Sequence, residues 1–275
     1  MTRHENLFYI INNNMLKIHQ NFVPNFICVG QRKCATSWIW KQLLSHPDIC
    51  TYNEKEINFF DKFYNLGIGW YQSHFQCRYN KVSIDVTPDY FNKSCAEKIK
   101  IYYPDIKIIV CLRNPTERSF SQWKFSKFIE YNKSENFFSD WQNDFNGMKT
   151  RGLYDDHLLS FLNLFDSKNI LVLIYDDLEK SPQEFFKSIC KFMKIKYYDE
   201  KVSQHRWMPG VDMFWEKICK NSKEYSQRYD VYKNYNLKYK MTHDEIIHID
   251  NYYKPSIQNL SKILNRNLES WYQRK

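Results

Sequence analysis

The stretch FICVGQRKCATSWIWKQLL, residues 26–44, decides the fold. Phe26–Gly30 is apolar without alternation, the pattern of a parallel strand covered on both faces. Thr36 and Ser37 suit a helix start, so residues 36–44 are predicted to form a helix entered directly from the strand. The turn between them carries Arg32, Lys33, Cys34 and Ala35. Backbone N–H groups at a helix N-terminus, a lysine and two hydroxyls together make a cradle for a phosphate. It is not a Walker loop, because Lys33 comes three residues after Gly30 and is followed by Cys34. An ordinary basic strand–helix turn fits these residues equally well.

Working outward, three further apolar runs read as buried strands: Val82–Val86, Ile106–Leu112 and Ile170–Tyr175. Helical patterns lie between them, at Ser94–Ile101, Arg118–Tyr131 and Leu153–Phe165, with another opening at Ser181 and Pro182 and running to about Met193. Strand–helix alternation of this kind predicts an α/β domain with a parallel sheet. Residues 201–275 differ, holding 14 basic against 8 acidic residues and ending in a helical pattern over Thr242–Leu264. No linker composition separates them, so residues 1–275 are read as a single domain with its core at about 25–200 and a helical C-terminal region.

The chain has 275 residues, 43% hydrophobic and 26% charged, enough for a sizeable core and against wholesale disorder. Its net charge of +9 suits an anionic partner: nucleic acid, a membrane surface, or a phosphorylated or sulfated small molecule. No run approaches the ~18 apolar residues of a membrane helix. The opening residues lack the order of a secretion signal. Eight cysteines are scattered without a C-x-x-C pair, so neither a metal site nor a disulfide framework is expected, and the setting is read as the reducing cytoplasm.

Two more constellations carry chemistry. Arg113-Asn114-Pro115-x-x-Arg118-x-x-Ser121 follows a strand at the edge where α/β folds bind ligands, and an arginine fork with a hydroxyl suits a phosphate monoester. His46-Pro47 is followed by Lys55-Glu56-Ile57-Asn58-Phe59-Phe60, in which Glu56 is a candidate general base. Each has a plain structural reading: an arginine capping a strand end, and a solvated Lys-Glu pair.

In this order the segments resemble the family of sulfotransferases that use PAPS, 3′-phosphoadenosine 5′-phosphosulfate. Thr87-Pro88-Asp89-Tyr90-Phe91, Gly152-Leu153-Tyr154 with His157-Leu158, ILVLIYDDL, and Tyr253-Lys254-Pro255 with Leu268-Glu269-Ser270-Trp271 extend the resemblance over roughly residues 25–272. The lysine and KExxFF forms are nearest the heparan-sulfate-type and bacterial branches. The resemblance implies a P-loop-NTPase-like parallel sheet flanked by helices. It implies that Arg32, Lys33, Cys34, Ala35, Thr36 and Ser37 hold the donor's 5′-phosphosulfate and that Arg113 and Ser121 hold its 3′-phosphate. The family's third phosphate contact has no clean counterpart; Arg206 is the candidate, with His205, Lys217 and Lys220 behind it. Where the family pattern has a glycine this chain has Ala35, which is expected to sit at negative φ in the first turn of a helix beginning near Lys33.

The implied reaction is in-line transfer of the sulfuryl group from PAPS to a hydroxyl or an amine or carbamoyl nitrogen, releasing 3′,5′-ADP. Lys33 would neutralise charge on the leaving oxygen and Glu56 would take the acceptor's proton; His74 and Asp85 are candidate acceptor contacts, with His157 a lesser one. No metal is implied, nor any nucleic-acid or membrane partner. The expected acceptor is a small molecule, as in the tailoring of a natural product, with Phe60–Phe75 and Trp207–Tyr235 as candidate pocket walls. A P-loop-like small-molecule or nucleotide kinase using Asp85 for a metal, and a basic nucleic-acid-binding module built on the aromatic C-terminal third, are the alternatives.

Overall fold

The computed structural model describes residues 23–50, 55–75, 77, 81–129, 134–199, 202 and 239–273. Five strands, β1 (Phe26–Gly30), β2 (Ile49–Cys50), β3 (Val82–Val86), β4 (Lys107–Leu112) and β5 (Ile170–Ile174), form one parallel sheet in the order β2-β3-β1-β4-β5. The four expected strands are present to within a residue. β2 is an unforeseen two-residue edge strand.

The continuous apolar runs have a direct explanation in the pleat. Side chains alternate across a strand, and here both faces are covered. Ile27, Val29, Ile108 and Val110 face one core, packed by α4 (Pro115–Phe128), α6 (Tyr154–Leu162) and α9 (His243–Leu264). Phe26, Cys28, Ile109 and Cys111 face the other, against α1 (Thr36–Leu44) and α8 (Pro182–Met193). At ~1.5–3 kcal/mol for each fully buried large side chain, these two layers dominate the stability.

The C-terminal helix is bolted to the helix after β4. Thr116 donates to Asp250 at 2.5 Å, and Tyr253 donates to the Lys149 carbonyl at 2.8 Å while its ring lies where a Gly152 Cβ would be. Arg266 then clamps Asp177 with both terminal nitrogens. Thr242 and Glu245 close a capping box at the start of α9.

The expectation of no disulfide is corrected. Cys50 at the end of β2 is bonded to Cys77, with 5.6 Å between their Cα atoms. Cys28, Cys34, Cys95, Cys111 and Cys190 are buried free thiols, as small hydrophobes in a core.

Candidate active site

Because the strands are parallel, the turns after β1, β3 and β4 emerge at one edge of the sheet, and β1 lies between β3 and β4. Gly30 makes that convergence possible. Its φ is +140°, and a Cβ there would stand 2.6 Å from the Pro88 carbonyl oxygen in the turn after β3. Only glycine allows the two backbones so close.

The loop that follows does not enter the helix where expected. Lys33 (φ 66°) and Ala35 (φ 68°) are both left-handed, and α1 starts at Thr36 with Ala35 as its N-cap. The expectation of a helical Ala35 at negative φ is therefore corrected. The physical reason lies in the hydrogen bonds. Cys34 N–H turns back to the Gln31 carbonyl at 3.2 Å, Arg32 N–H donates to the Gln31 side chain at 2.7 Å, and Ala35 C=O accepts the first helical bond from Ile39 at 3.0 Å. Left-handed residues flanking Cys34 leave the N–H groups of Lys33, Ala35, Thr36 and Ser37 without partners among the described residues, in the manner of an anion-binding nest. Cys34 itself contributes neither N–H nor thiol: it is buried, and burial pushes its thiol up to about 11.

Around this loop the side chains form a cation cluster. The Lys33 ammonium sits 4.2 Å over the Phe125 ring and has no ion pair among the described residues. Burial, then the charges of Lys55 and Arg113, bring its pKa down to about 7. Lys124, whose ammonium lies 4.6 Å over the Phe120 ring, is lowered by burial and by Arg113. Arg113 stacks 4.4 Å over the Tyr175 ring and reaches Glu117 at 3.1 Å, while its buried Nε has no protein partner. Ser121 lies one turn beyond Glu117 on α4, and its hydroxyl, like those of Thr36 and Ser37, is uncommitted among the described residues. Donors left over beside a lysine that gives up its proton at about pH 7 fit a ligand bearing several negative charges.

Glu56 stands 2.5 Å from the Lys55 ammonium, and its side chain stays 41% exposed to solvent. Partial burial pushes its carboxyl up, but the Lys55 charge and hydrogen bond outweigh that and hold it below the ordinary value. Glu56 charge is in turn felt by Lys33. Glu56 N–H is fixed to the Val86 carbonyl at 3.1 Å, although Glu56 (φ 67°) and Asn58 (φ 57°) are both left-handed.

Other expected residues fall elsewhere. Asp85 is corrected as an acceptor contact: it is 1% exposed and accepts from Tyr71 at 3.0 Å and Thr87 at 2.7 Å. Burial pushes its carboxyl up to about 6. His74 uses one ring nitrogen on the Trp70 carbonyl at 2.8 Å, and His46 is enclosed between the Lys196 carbonyl and Asp48 N–H. Arg118 is buried against Gln122, Ser119 and the Met148 carbonyl, a structural arginine inside the motif. Arg32 pairs with Asp89, which also holds Arg151 at 3.0 Å. Arg206 lies outside the described residues. Sequence reading missed Arg151 and Lys124; only the i, i+3 spacing from Ser121 could have pointed to Lys124.

Comparison with known proteins decides the family. Residues 24–263 match the sulfotransferase domain. The chain belongs to the sulfotransferase family. It is 36% identical over 118 residues to the membrane-associated sulfotransferase kil1 of Dictyostelium discoideum, covering 41% of this chain and 25% of that protein. It is 32% identical over 102 residues to human heparan sulfate glucosamine 3-O-sulfotransferase 6, covering 36% of this chain and 30% of the relative. The aligned parts thus span well under half of these relatives. Among solved sulfotransferases, the Alicyclobacillus acidocaldarius protein shares the fold at a TM-score of 0.70 and 20% identity, covering 91% of this chain and 99% of that one. A mouse sulfotransferase complexed with PAP matches at 0.57 and 17%, covering 88% and 87%. Among the described residues no helix is long and apolar enough to cross a membrane.

Proposed function

We propose that this sulfotransferase moves the sulfuryl group of PAPS to a hydroxyl or an amine or carbamoyl nitrogen of a small acceptor, releasing 3′,5′-ADP. The observation that carries the reading is the cluster of Lys33, Arg113 and Lys124 around a loop with free N–H groups, in which Lys33 and Lys124 have no ion pair among the described residues. Sulfuryl transfer, like phosphoryl transfer, needs positioning and charge stabilisation above all. In this reading the N–H groups of Lys33, Ala35, Thr36 and Ser37 bind the donor's 5′-phosphate, and Arg113 and Ser121 bind its 3′-phosphate. Lys33, regaining its proton beside these anions, meets the charge that develops on the leaving oxygen. Glu56 takes the acceptor proton at its exposed carboxylate. Asp89 acts one step back, holding Arg32 and Arg151 in place.

The acceptor is read as meeting the aromatic segment beyond Glu56 at its exposed Phe63, since Phe60, Tyr71 and Phe75 are buried in the core; the other expected wall, Trp207–Tyr235, lies outside the described residues. Since relatives of the chain are named as heparan sulfate glucosamine 3-O-sulfotransferases, amino sugars belong beside hydroxylated and amine metabolites in the acceptor panel. The Cys50–Cys77 disulfide supports an oxidising compartment rather than the cytoplasm expected from the thiols. Incubating the protein with PAPS and that panel, and following 3′,5′-ADP by chromatography and the acceptor by mass, tests the reading. PAP should also raise the melting temperature well above the effect of ATP, which lacks the 3′-phosphate. Equal stabilisation by both would remove the 3′-phosphate site.

A further inference from the structure

The disulfide closes a loop that contains the base. Cys50 ends the edge strand β2, Cys77 follows α2 (Ile68–Gln72), and Glu56 lies six residues after Cys50. The far part of the loop is held without it. Phe59, Phe60, Tyr71 and Phe75 are fully or almost fully buried, Phe59 and Tyr71 stack at 4.9 Å, Phe59 N–H donates to the Tyr90 hydroxyl at 2.7 Å, and Tyr71 donates to Asp85. The part bearing Lys55 and Glu56 is different. Its described ties to the body are one backbone hydrogen bond, from Glu56 to Val86, and the buried Ile57 side chain, and it carries two left-handed non-glycine residues, Glu56 and Asn58. Such conformations persist only where the surroundings enforce them.

We infer that the Cys50–Cys77 disulfide is a positioning device for Glu56, keeping its loop in the left-handed conformation that sets the carboxylate on Lys55 and within reach of Lys33. The inference rests on the reading of Glu56 as the base. Formation is thiol–disulfide exchange: two S–H groups lose two protons and two electrons as the S–S bond forms, and the disulfide of a small exchange partner such as oxidised glutathione is reduced to two thiols. A dithiol reductant reverses it. The donor loop at 30–37 hangs from β1 and α1 and does not pass through this link, so base positioning and donor binding separate.

The test compares oxidised and dithiothreitol-reduced protein, with thiols counted in both. The readouts are PAPS turnover with the acceptor that reacts best in the panel, or with water where none does, PAP affinity by calorimetry, and amide exchange of residues 55–63. Reduction should lower kcat by about tenfold or more, leave the Kd for PAP within about twofold, speed amide exchange at 55–63, and move the acid limb of the kcat–pH profile up towards an ordinary carboxylate. Oxidised glutathione should restore all of these. The Cys50→Ser/Cys77→Ser variant should match the reduced protein and ignore reductant; should it not fold, reversal in the native chain decides alone. Unchanged kcat and exchange on reduction, loss of PAP binding in step with kcat, or two free thiols in the fully active protein would each overturn the inference. Glu56→Gln separates the layers: if it turns over normally, the base reading fails, whereas a slow Glu56→Gln with redox-insensitive wild-type turnover sinks the clamp only.

Discussion

Lys33 gives a titration that can be weighed. Without a bound anion, burial and the charges of Lys55 and Arg113 hold its pKa at about 7, against 10.5 for a free lysine. A lowered pKa means the amine is largely neutral above pH 7 and must take up a proton when an anion makes the charged form favourable. At pH 8 a group of pKa near 7 is roughly one-tenth protonated; returned towards its ordinary value it is almost fully so. Binding of PAP should therefore take up about 0.9 proton at pH 8, and its affinity should fall by up to tenfold per pH unit above 7. The phosphates of PAP, with second pKa values near 6, are already ionised at pH 8 and do not mask the effect. Calorimetric titration in Tris and HEPES at pH 8, whose ionisation heats differ, reads the proton number directly. Lys33→Met should remove most of it, leaving the smaller share of Lys124, whose amine is also lowered. No uptake in the wild type at pH 8, or the same uptake in Lys33→Met, would refute this picture of Lys33.

Ala35→Gly should stabilise the protein: relief of a left-handed alanine is worth ~1–2 kcal/mol and the freer unfolded chain takes back ~0.4–1, so thermal melting should rise by a few degrees, with donor affinity changed less than about tenfold. Gly30→Ala should do the reverse and strongly, since its Cβ would meet the Pro88 carbonyl at 2.6 Å; a melting temperature equal to wild type would contradict the close approach. Glu56→Gln should cut kcat by roughly 10²–10⁴-fold with PAP affinity nearly intact, measured by turnover and calorimetry side by side.

The buried centre of this fold was legible because β1, β3, β4 and β5 are apolar on both faces, and a continuous run has one economical reading when helical patterns separate the runs. The edge escaped notice for the same reason: Ile49–Cys50 is two residues long and carries no pattern. With β2 unseen, nothing placed Cys50 near Cys77, for their separation of 27 residues says nothing until β2 is laid beside β3. Lys33, Thr36, Ser37, Arg113 and Ser121 stood out from motif order, and the structure puts the turns after β1 and β4, which carry Lys33 and Arg113, at one sheet edge. Asp85 and Arg118 looked functional by residue type but are buried with protein partners. Ala35 misled because propensity favours negative φ for alanine, while the loop's hydrogen bonds require the opposite.

The donor site is the centre of the account, and calorimetry of PAP against adenosine 5′-monophosphate, on wild type and on Arg113→Ala, tests it most directly. A charge-assisted contact to the 3′-phosphate is worth ~1.5–3 kcal/mol, so PAP should bind the wild type roughly 10–150-fold tighter than the monophosphate, and Arg113→Ala should bring the two together by weakening PAP alone. Equal affinities in the wild type, or an Arg113→Ala variant that loses both ligands alike, would contradict it.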